Sequence, residues 1–521
     1  MATISVGRDQ PPSLLLRNVR LVPIARSNGV GRPTEPESAP VDVLIEAGRV
    51  SAIGSGLTTP DGGQVIEADG RWLVPGLWDQ HVHMTQWATT AARLDLSGTP
   101  HAEAVLARVA AHQRSLATES TTLVGYGYRS GGWPRQVSTA ALDAVCGRRP
   151  VVLVAGDGHN GWLSSAAQRL FGVEPREGAF DETDWFPLWA QLAALLGSRE
   201  EVLQGLDTVM TQASAKGVVG IVDMEFDDAT GTWPGRFAVG LDRLRVRTSV
   251  YAEGLEGIFA AGLRTGDALA ETGGLARMGP FKIITDGSLG TRTAHTHEPY
   301  SPPGAGNPAY PHGKQNVSQA ELTELLEAAT THGLGVAVHT IGDAAAQIAL
   351  DAIAAAGARG SIEHAQLMTR DEIVRMAQLG LRASVQPAHL LDDRDLTGAI
   401  WPGREERCFM FRTMLDLGVE LALGSDAPVA HLDPWLAMAA AVHRTADERE
   451  PWVPQEQLSA AQALAASVDG RGTVAIGEVA DLALLDADPL AGETPAESAA
   501  VLRRMAVGAT LVAGRLTHDA S

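Results

Sequence analysis

The chain has 521 residues, enough for one large barrel with accessory pieces. Its 41 Lys and Arg against 62 Asp and Glu give a net acidic surface that would repel a phosphate backbone, so nucleic acid is not an expected partner. Two cysteines, Cys146 and Cys408, are too few for a disulfide framework or a thiolate zinc site and are expected to be reduced thiols.

The amino-terminal stretch MATISVGRDQPPSLLLRNVRLVP lacks a long apolar core after a basic start. It does not read as a secretion signal, and the cytoplasm is the expected location. No run reaches the roughly 18 apolar residues of a membrane span, so no membrane partner is expected. Residues 13–75 hold short alternating runs (SLLLRNVRLVP, PVDVLIEAGRVSAIG, GQVIEADGRWLVP) punctuated by Gly, Pro and Asp, the pattern of a small antiparallel sheet. Residues 470–521 repeat that style, and the two ends together predict one composite β-sandwich, 1–75 plus 470–521.

Between them, over 76–469, apolar runs alternate with Ala-rich and Leu-rich helical stretches, the βαβ signature of parallel strands. The fold class read from this is α/β, a (β/α)8 TIM-type barrel. Its strands are placed near 76–83, 218–224, 246–252, 280–286, 334–340, 360–365, 381–386 and 420–426. The first crossover is too long for one helix. Residues 84–217 carry helical stretches near 101–117 and 199–215 and two strand-like runs, TTLVGYGY and PVVLVAGDGH, which predict an inserted subdomain capping the site. Residues 296–313, rich in Pro and Gly, read as an irregular loop. Helices near 318–332, 343–356 and 434–447 fill later crossovers.

Chemistry-bearing side chains close these runs. In GLWDQHVH, His81 and His83 are two apart and present two imidazoles on one strand face. The spacing alone says little among 15 histidines: His295 and His297 repeat it in a polar stretch and read as loop residues. His339 and His364 end GLGVAVH and GSIEH, where a barrel aims side chains out of its top. Asp426 closes ELALGSDAP, placed to ligate a cation and take a water's proton, or else to serve as a helix N-cap before AHLDPWLAMAAA. Lys282 lies inside GPFKIITDG. A buried ammonium is costly there, whereas its carbamate would be an anionic bridge between divalent ions; pairing with Asp286 is the alternative.

These residues together resemble the amidohydrolase superfamily, and more narrowly amidohydrolase family 3, its N-substituted formamide deformylase-like branch. The likeness rests on FKIITDGSLGTRTA, VHTIGDAA, IEHAQ, SVQPAHL, LGSDAPVAHLDPW, GDGHNGWLSSAA and AIGEVADLALLDADP, and spans nearly the whole chain. It implies a urease-like barrel with a composite sandwich, and His81, His83, Lys282, His339, His364 and Asp426 as the metal and catalytic set. Two segments depart from the family pattern. Ser164 and Ser165 stand where an Asn usually precedes the Ser, and GYGYRSGGWP is altered.

The expected activity is metal-dependent hydrolysis of a small-molecule C–N bond outside the peptide backbone: an amide, an N-substituted formamide or a similar N-acyl compound. One or two zinc ions would activate water, with Asp426 as general base and acid and His339 or a second metal polarising the carbonyl. Gln86, Trp87, Tyr128, His159, Trp162 and Arg292 are the expected substrate contacts. A metal-dependent deaminase, a cyclic-amide hydrolase and a non-catalytic binding barrel stay open, as does a homo-oligomer.

Overall fold

The computed structural model describes residues 13–25, 39–60, 62–90, 93–114, 122–130, 133, 135, 137–195, 199–301 and 310–520. Eight parallel strands form its centre: β1 (Leu77–Val82), β2 (Val218–Asp223), β3 (Arg245–Val250), β4 (Ala276–Ile284), β5 (Val336–Thr340), β6 (Gly360–His364), β7 (Arg382–Val385) and β8 (Glu420–Leu423). They lie side by side in chain order. The cylinder closes where Asp426 N donates to the His81 carbonyl at 2.7 Å and His83 N donates to the Ala427 carbonyl at 2.8 Å, with Val82 and Ala427 paired in parallel. Each strand coincides with an apolar run expected from the sequence. Burial on both faces is the reason: β1, β2 and β5 are buried at every position, so the period-2 alternation of a half-exposed sheet is missing.

The crossover helices carry their own start signals. Ser318 accepts from Glu321 N ahead of Gln319–Thr331, and Thr369 with Glu372 forms a capping box on Arg370–Gln378. Helix Pro434–His443 is capped by Asp433, whose side chain accepts from Trp435 N and Leu436 N. Asp426 is therefore not the cap of that helix, and the capping alternative is removed.

Strands from both ends of the chain share one further sheet, in the order 515–519, 507–512, 482–485, 72–75, 14–21, 41–46 and 49–54, with 64–67 also pairing 14–21. The expectation of purely antiparallel pairing is corrected: 14–21 runs parallel to both 64–67 and 72–75. Leu14, Leu16, Val43, Ile45, Leu73, Leu482, Leu484 and Leu511 make its core, separate from that of the barrel.

Between β1 and β2 lies a five-stranded sheet (179–180, 161–163, 151–155, 123–128, 94–95) flanked by helices including Ala102–Gln113, Thr139–Cys146 and Ser165–Phe171. It has apolar clusters of its own, and Asp157, Gly158 and His159 of the turn after Val151–Ala155 line one cleft with residues at the barrel top. Ser288 Oγ donates to Asp157 at 2.7 Å, and Arg129 donates to the Val429 carbonyl at 3.2 Å, tying this insertion to the loops after β4 and β8. The described part of the 296–313 segment is irregular, as expected; 302–309 lies outside the described residues. Cys146 and Cys408 are buried and unpaired. Among the described residues no helix is long and apolar enough to cross a membrane.

Candidate metal centre

All six residues of the expected set stand at or just past the carboxyl ends of barrel strands: His81 and His83 on β1, Lys282 on β4, His339 on β5, His364 on β6 and Asp426 after β8. The structure brings them together. Asp426 Oδ1 lies 3.6 Å from His81 Nε2 and 3.4 Å from His83 Nε2, and Lys282 Nζ is 3.3 Å from His81 Nε2. The His364 ring is 5.0 Å from that of His81 and 4.6 Å from that of His339. Gly424 permits the close approach of β8 to β1, since a Cβ there would meet His81 N at 2.8 Å. His364 and Asp426 both hold the left-handed backbone region, φ 69° and 58°, a conformation that costs about 1–3 kcal/mol and persists where the surroundings enforce it.

Three of the imidazoles are gripped from behind. His81 Nδ1 meets Glu363 Oε2 at 2.7 Å, His339 Nδ1 meets Asp286 Oδ1 at 3.0 Å, and His364 Nδ1 meets the Gln386 side-chain Oε1 at 2.8 Å. Asp286 also accepts from the backbone N–H groups of His295, Ile341 and Gly342, so His339 is the donor in its bond to Asp286 and carries its proton on Nδ1. That leaves each Nε2 as a lone pair facing the centre, the form in which histidine ligates. Asp286 is thus the anchor of His339 and not the partner of Lys282, which corrects that alternative.

The electrostatics agree. Burial first and Lys282 second bring His81 down to about 4 against the pull of Asp426 and Glu363; burial also lowers His339 and His364. All three are neutral at pH 7. For Asp426, burial alone would raise the carboxyl, but His81, His83 and His364 outweigh it and hold it well below the usual range. Glu363 follows the same logic: burial opposes ionisation, while the His81 hydrogen bond, Lys282 and Ser361 bring it down to about 2. Lys282, 2% exposed, is lowered by burial. Asp79, raised to about 7 mainly by burial, accepts from the N–H groups of His81 and Ser425 and so ties the end of β1 to the segment that carries Asp426.

The donor set fits a divalent cation. His339 Nε2 is buried without a hydrogen-bond partner, and beside the Lys282 amine the centre offers imidazole nitrogens and the Asp426 carboxylate, the ligand types that borderline cations prefer.

The expected substrate contacts divide. Gln86 and His159 line the cleft above the centre, with Asp157, Phe226, Ile284 and Val429. Gln86 is held by Glu225, which accepts from its Nε2 at 3.0 Å and its backbone N at 2.9 Å. His159 lies 6.0 Å from the His339 ring. Trp87, Tyr128 and Trp162 are corrected to packing residues: Trp87 is buried in the barrel core, while Tyr128 and Trp162 pack together inside the insertion, bonded to Asn160 and to the Ser138 carbonyl. Arg292 sits half-buried in a turn after β4, outside the cleft lining. His295 and His297 lie in the irregular stretch beyond it, and His295 reaches the centre only through its backbone N–H on Asp286.

Glu363, Gln386, His389, Asp157 and Phe226 were not among the expected site residues. Glu363 carried a signal, an acidic residue inside an apolar strand run.

The family model described as "Amidohydrolase family" matches residues 64–518. Protein LONG AFTER FAR-RED 3 of Arabidopsis thaliana is 27% identical over 498 residues, covering 85% of this chain and 83% of its own. N-substituted formamide deformylase of Arthrobacter pascens is 26% identical over 537 residues, covering 92% and 94%. An uncharacterized metal-dependent hydrolase from Pyrococcus horikoshii shares the fold, with a TM-score of 0.74 and 22% identity over 92% of this chain and 99% of that one.

Proposed function

We infer that this chain, which belongs to the amidohydrolase family, hydrolyses a carbon–nitrogen bond outside the peptide backbone, in an amide, an N-substituted formamide or a similar N-acyl compound. The observation that carries this reading is the convergence of neutral His81, His339 and His364, with His83 and the ionised Asp426, at one end of the barrel. Likeness to a formamide deformylase over more than nine-tenths of both chains supports an amide-type substrate.

His81, His83, His339, His364 and Asp426 would hold one or two divalent cations, with zinc the choice most suited to imidazole and carboxylate donors and a carbamate on Lys282 as a further ligand. A bound cation supplies Lewis acidity, acidifying water and polarising a carbonyl. Asp426 is an ionised carboxylate at the centre and takes the proton of the attacking water. It then returns that proton to the leaving nitrogen, which departs as a neutral amine. His339 serves as a ligand in this scheme. Its proton sits on Nδ1 against Asp286, so its Nε2 has no hydrogen to give a carbonyl oxygen.

Asp426→Asn tests the assignment. Loss of the proton acceptor should cut kcat by about 100- to 10,000-fold. Wild-type turnover in a variant that still binds metal would contradict the role given to Asp426.

A further inference from the structure

The candidate metal centre occupies one end of the barrel lumen, and a second concavity lies at the other, where Gly360, Arg382 and Glu420 each begin a strand. It has a volume of about 370 Å3 and is lined by residues from all eight strands, Gln80, Arg247, Glu363, Arg382, Ser384 and Glu420 among them. Layered side chains ordinarily fill the lumen of such a barrel, whereas this hollow falls within the roughly 300–1,000 Å3 of small-molecule pockets.

Polar groups in its wall lack partners. Gln80 and Ser384 are each 2% exposed, and Gln80 Oε1 and Ser384 Oγ are buried with no hydrogen-bond partner, a state that costs about 1–3 kcal/mol per group. The Gln80 amide gains nothing by turning over, because its Nε2 donates to Asp469 at 3.1 Å. Of the charged residues, Arg247 is committed to Asp469 and to the face of Trp78, 4.1 Å away, and Glu363 to His81 and Ser361. Arg382 and Glu420 remain. They are register partners on β7 and β8, so their side chains leave the sheet on one side, and Ser384 shares the face of Arg382. Among the described residues they are not paired with each other: Arg382 has a single ion pair, 3.8 Å long with Asp469, and the Glu420 carboxylate has none.

We propose that the amino end of the barrel binds a small zwitterion, an α-amino acid with an apolar side chain. Its carboxylate meets Arg382 and Ser384, its ammonium meets Glu420 and Gln80 Oε1, and its side chain lies against Met224, Met278 and Val336. A zwitterion carries both charges on one carbon, matching two residues that are neighbours across strands. An anion alone would be set against the like charge of Glu420, and a cation alone against that of Arg382. The site is separate from the proposed hydrolysis and depends on no metal.

The test is isothermal titration calorimetry of the full chain, metal-loaded and chelated, with L-leucine, L-methionine and L-valine. Isoamylamine and isocaproate, which are leucine without its carboxylate and without its ammonium, serve as single-charge probes. The expected result is one site per chain for at least one amino acid, with Kd below about 1 mM and unaffected by chelation, and both probes at least about tenfold weaker. Arg382→Gln and Glu420→Gln, shown folded by thermal unfolding, should each weaken the amino acid at least about tenfold. No saturable binding would overturn the proposal, as would probes that bind as tightly as the amino acid, or binding that disappears on chelation and persists in both variants. Should a variant fail to fold, wild-type crystals grown with L-selenomethionine decide: a selenium anomalous peak in the lumen beside Arg382 supports the assignment, and its absence there overturns it.

Discussion

Replacing Glu363 by Gln removes the charge that grips His81 from behind while keeping the side chain's size. Held at about 2 against an ordinary 4.5, the Glu363 carboxylate is favoured over its acid by about 3 kcal/mol in the folded chain. Part of that is the 2.7 Å bond to His81 Nδ1. A glutamine can still accept from Nδ1, but it no longer raises the basicity of Nε2. Losing such an outer carboxylate lowers metal affinity about 10- to 100-fold, or about 1.4–2.7 kcal/mol, which lies within the 3 kcal/mol that the site invests in the charge. Competition with a chromophoric chelator at pH 7 reads the affinity. A second readout is stability against pH. Because the folded carboxyl is depressed, its contribution is fully present above pH 4.5 and is lost as pH falls through about 2. The wild type should therefore unfold at a higher temperature than the variant at pH 7, with the gap closing towards pH 2. Zinc affinity of Glu363→Gln within twofold of wild type at pH 7 would refute the reasoning.

Two further outcomes follow from buried charge. Lys282→Ala should lose most hydrolytic activity and regain part of it when a short carboxylate is added, because the acid can occupy the space of a carbamate; full activity without additive would remove Lys282 from the centre. Asp393 is raised to about 7, first by burial, and accepts from Gln366 Nε2 at 3.0 Å. With its folded value above the unfolded one, it costs nothing below about pH 4 and progressively destabilises as pH rises towards 7, by up to about 4 kcal/mol. Asp393→Asn should match the wild type in thermal unfolding at pH 4 and exceed it at pH 8; parallel curves across that range would show that burial is not what raises Asp393.

The barrel was legible because a parallel strand covered on both faces must be apolar along its length, so β1 to β8 stand out as runs bounded by Gly and Pro. The residues proposed as its ligands were legible for the same reason: His81, His339, His364 and Asp426 interrupt or follow those runs where a core has no use for a polar group. What could not be read was pairing across strands. Glu363 precedes His364 but serves His81, 282 residues earlier in the chain, and Gln386 serves His364 from the next strand. Asp286, four residues after Lys282, turns to His339 instead. Aromatic residues failed differently. Trp87, Tyr128 and Trp162 have the composition of a pocket wall and of a core alike, and only burial separates the two. The departures at Ser164 and Ser165 also have a local meaning: Ser164 caps helix Ser165–Phe171 through Ala167 N, and Ser165 bonds Asp143 within the insertion.

Loaded with metal, the barrel of this chain is expected to release an amine from an amide-type substrate. The direct measurement is amine release from a panel of N-formyl, N-acyl and cyclic amides, made with protein as purified, after chelation, and after zinc is restored. The expected result is release of a substituted amine from at least one N-acyl compound, lost on chelation and recovered with zinc. Release that survives complete metal removal would contradict it, as would the liberation of ammonia alone across the panel.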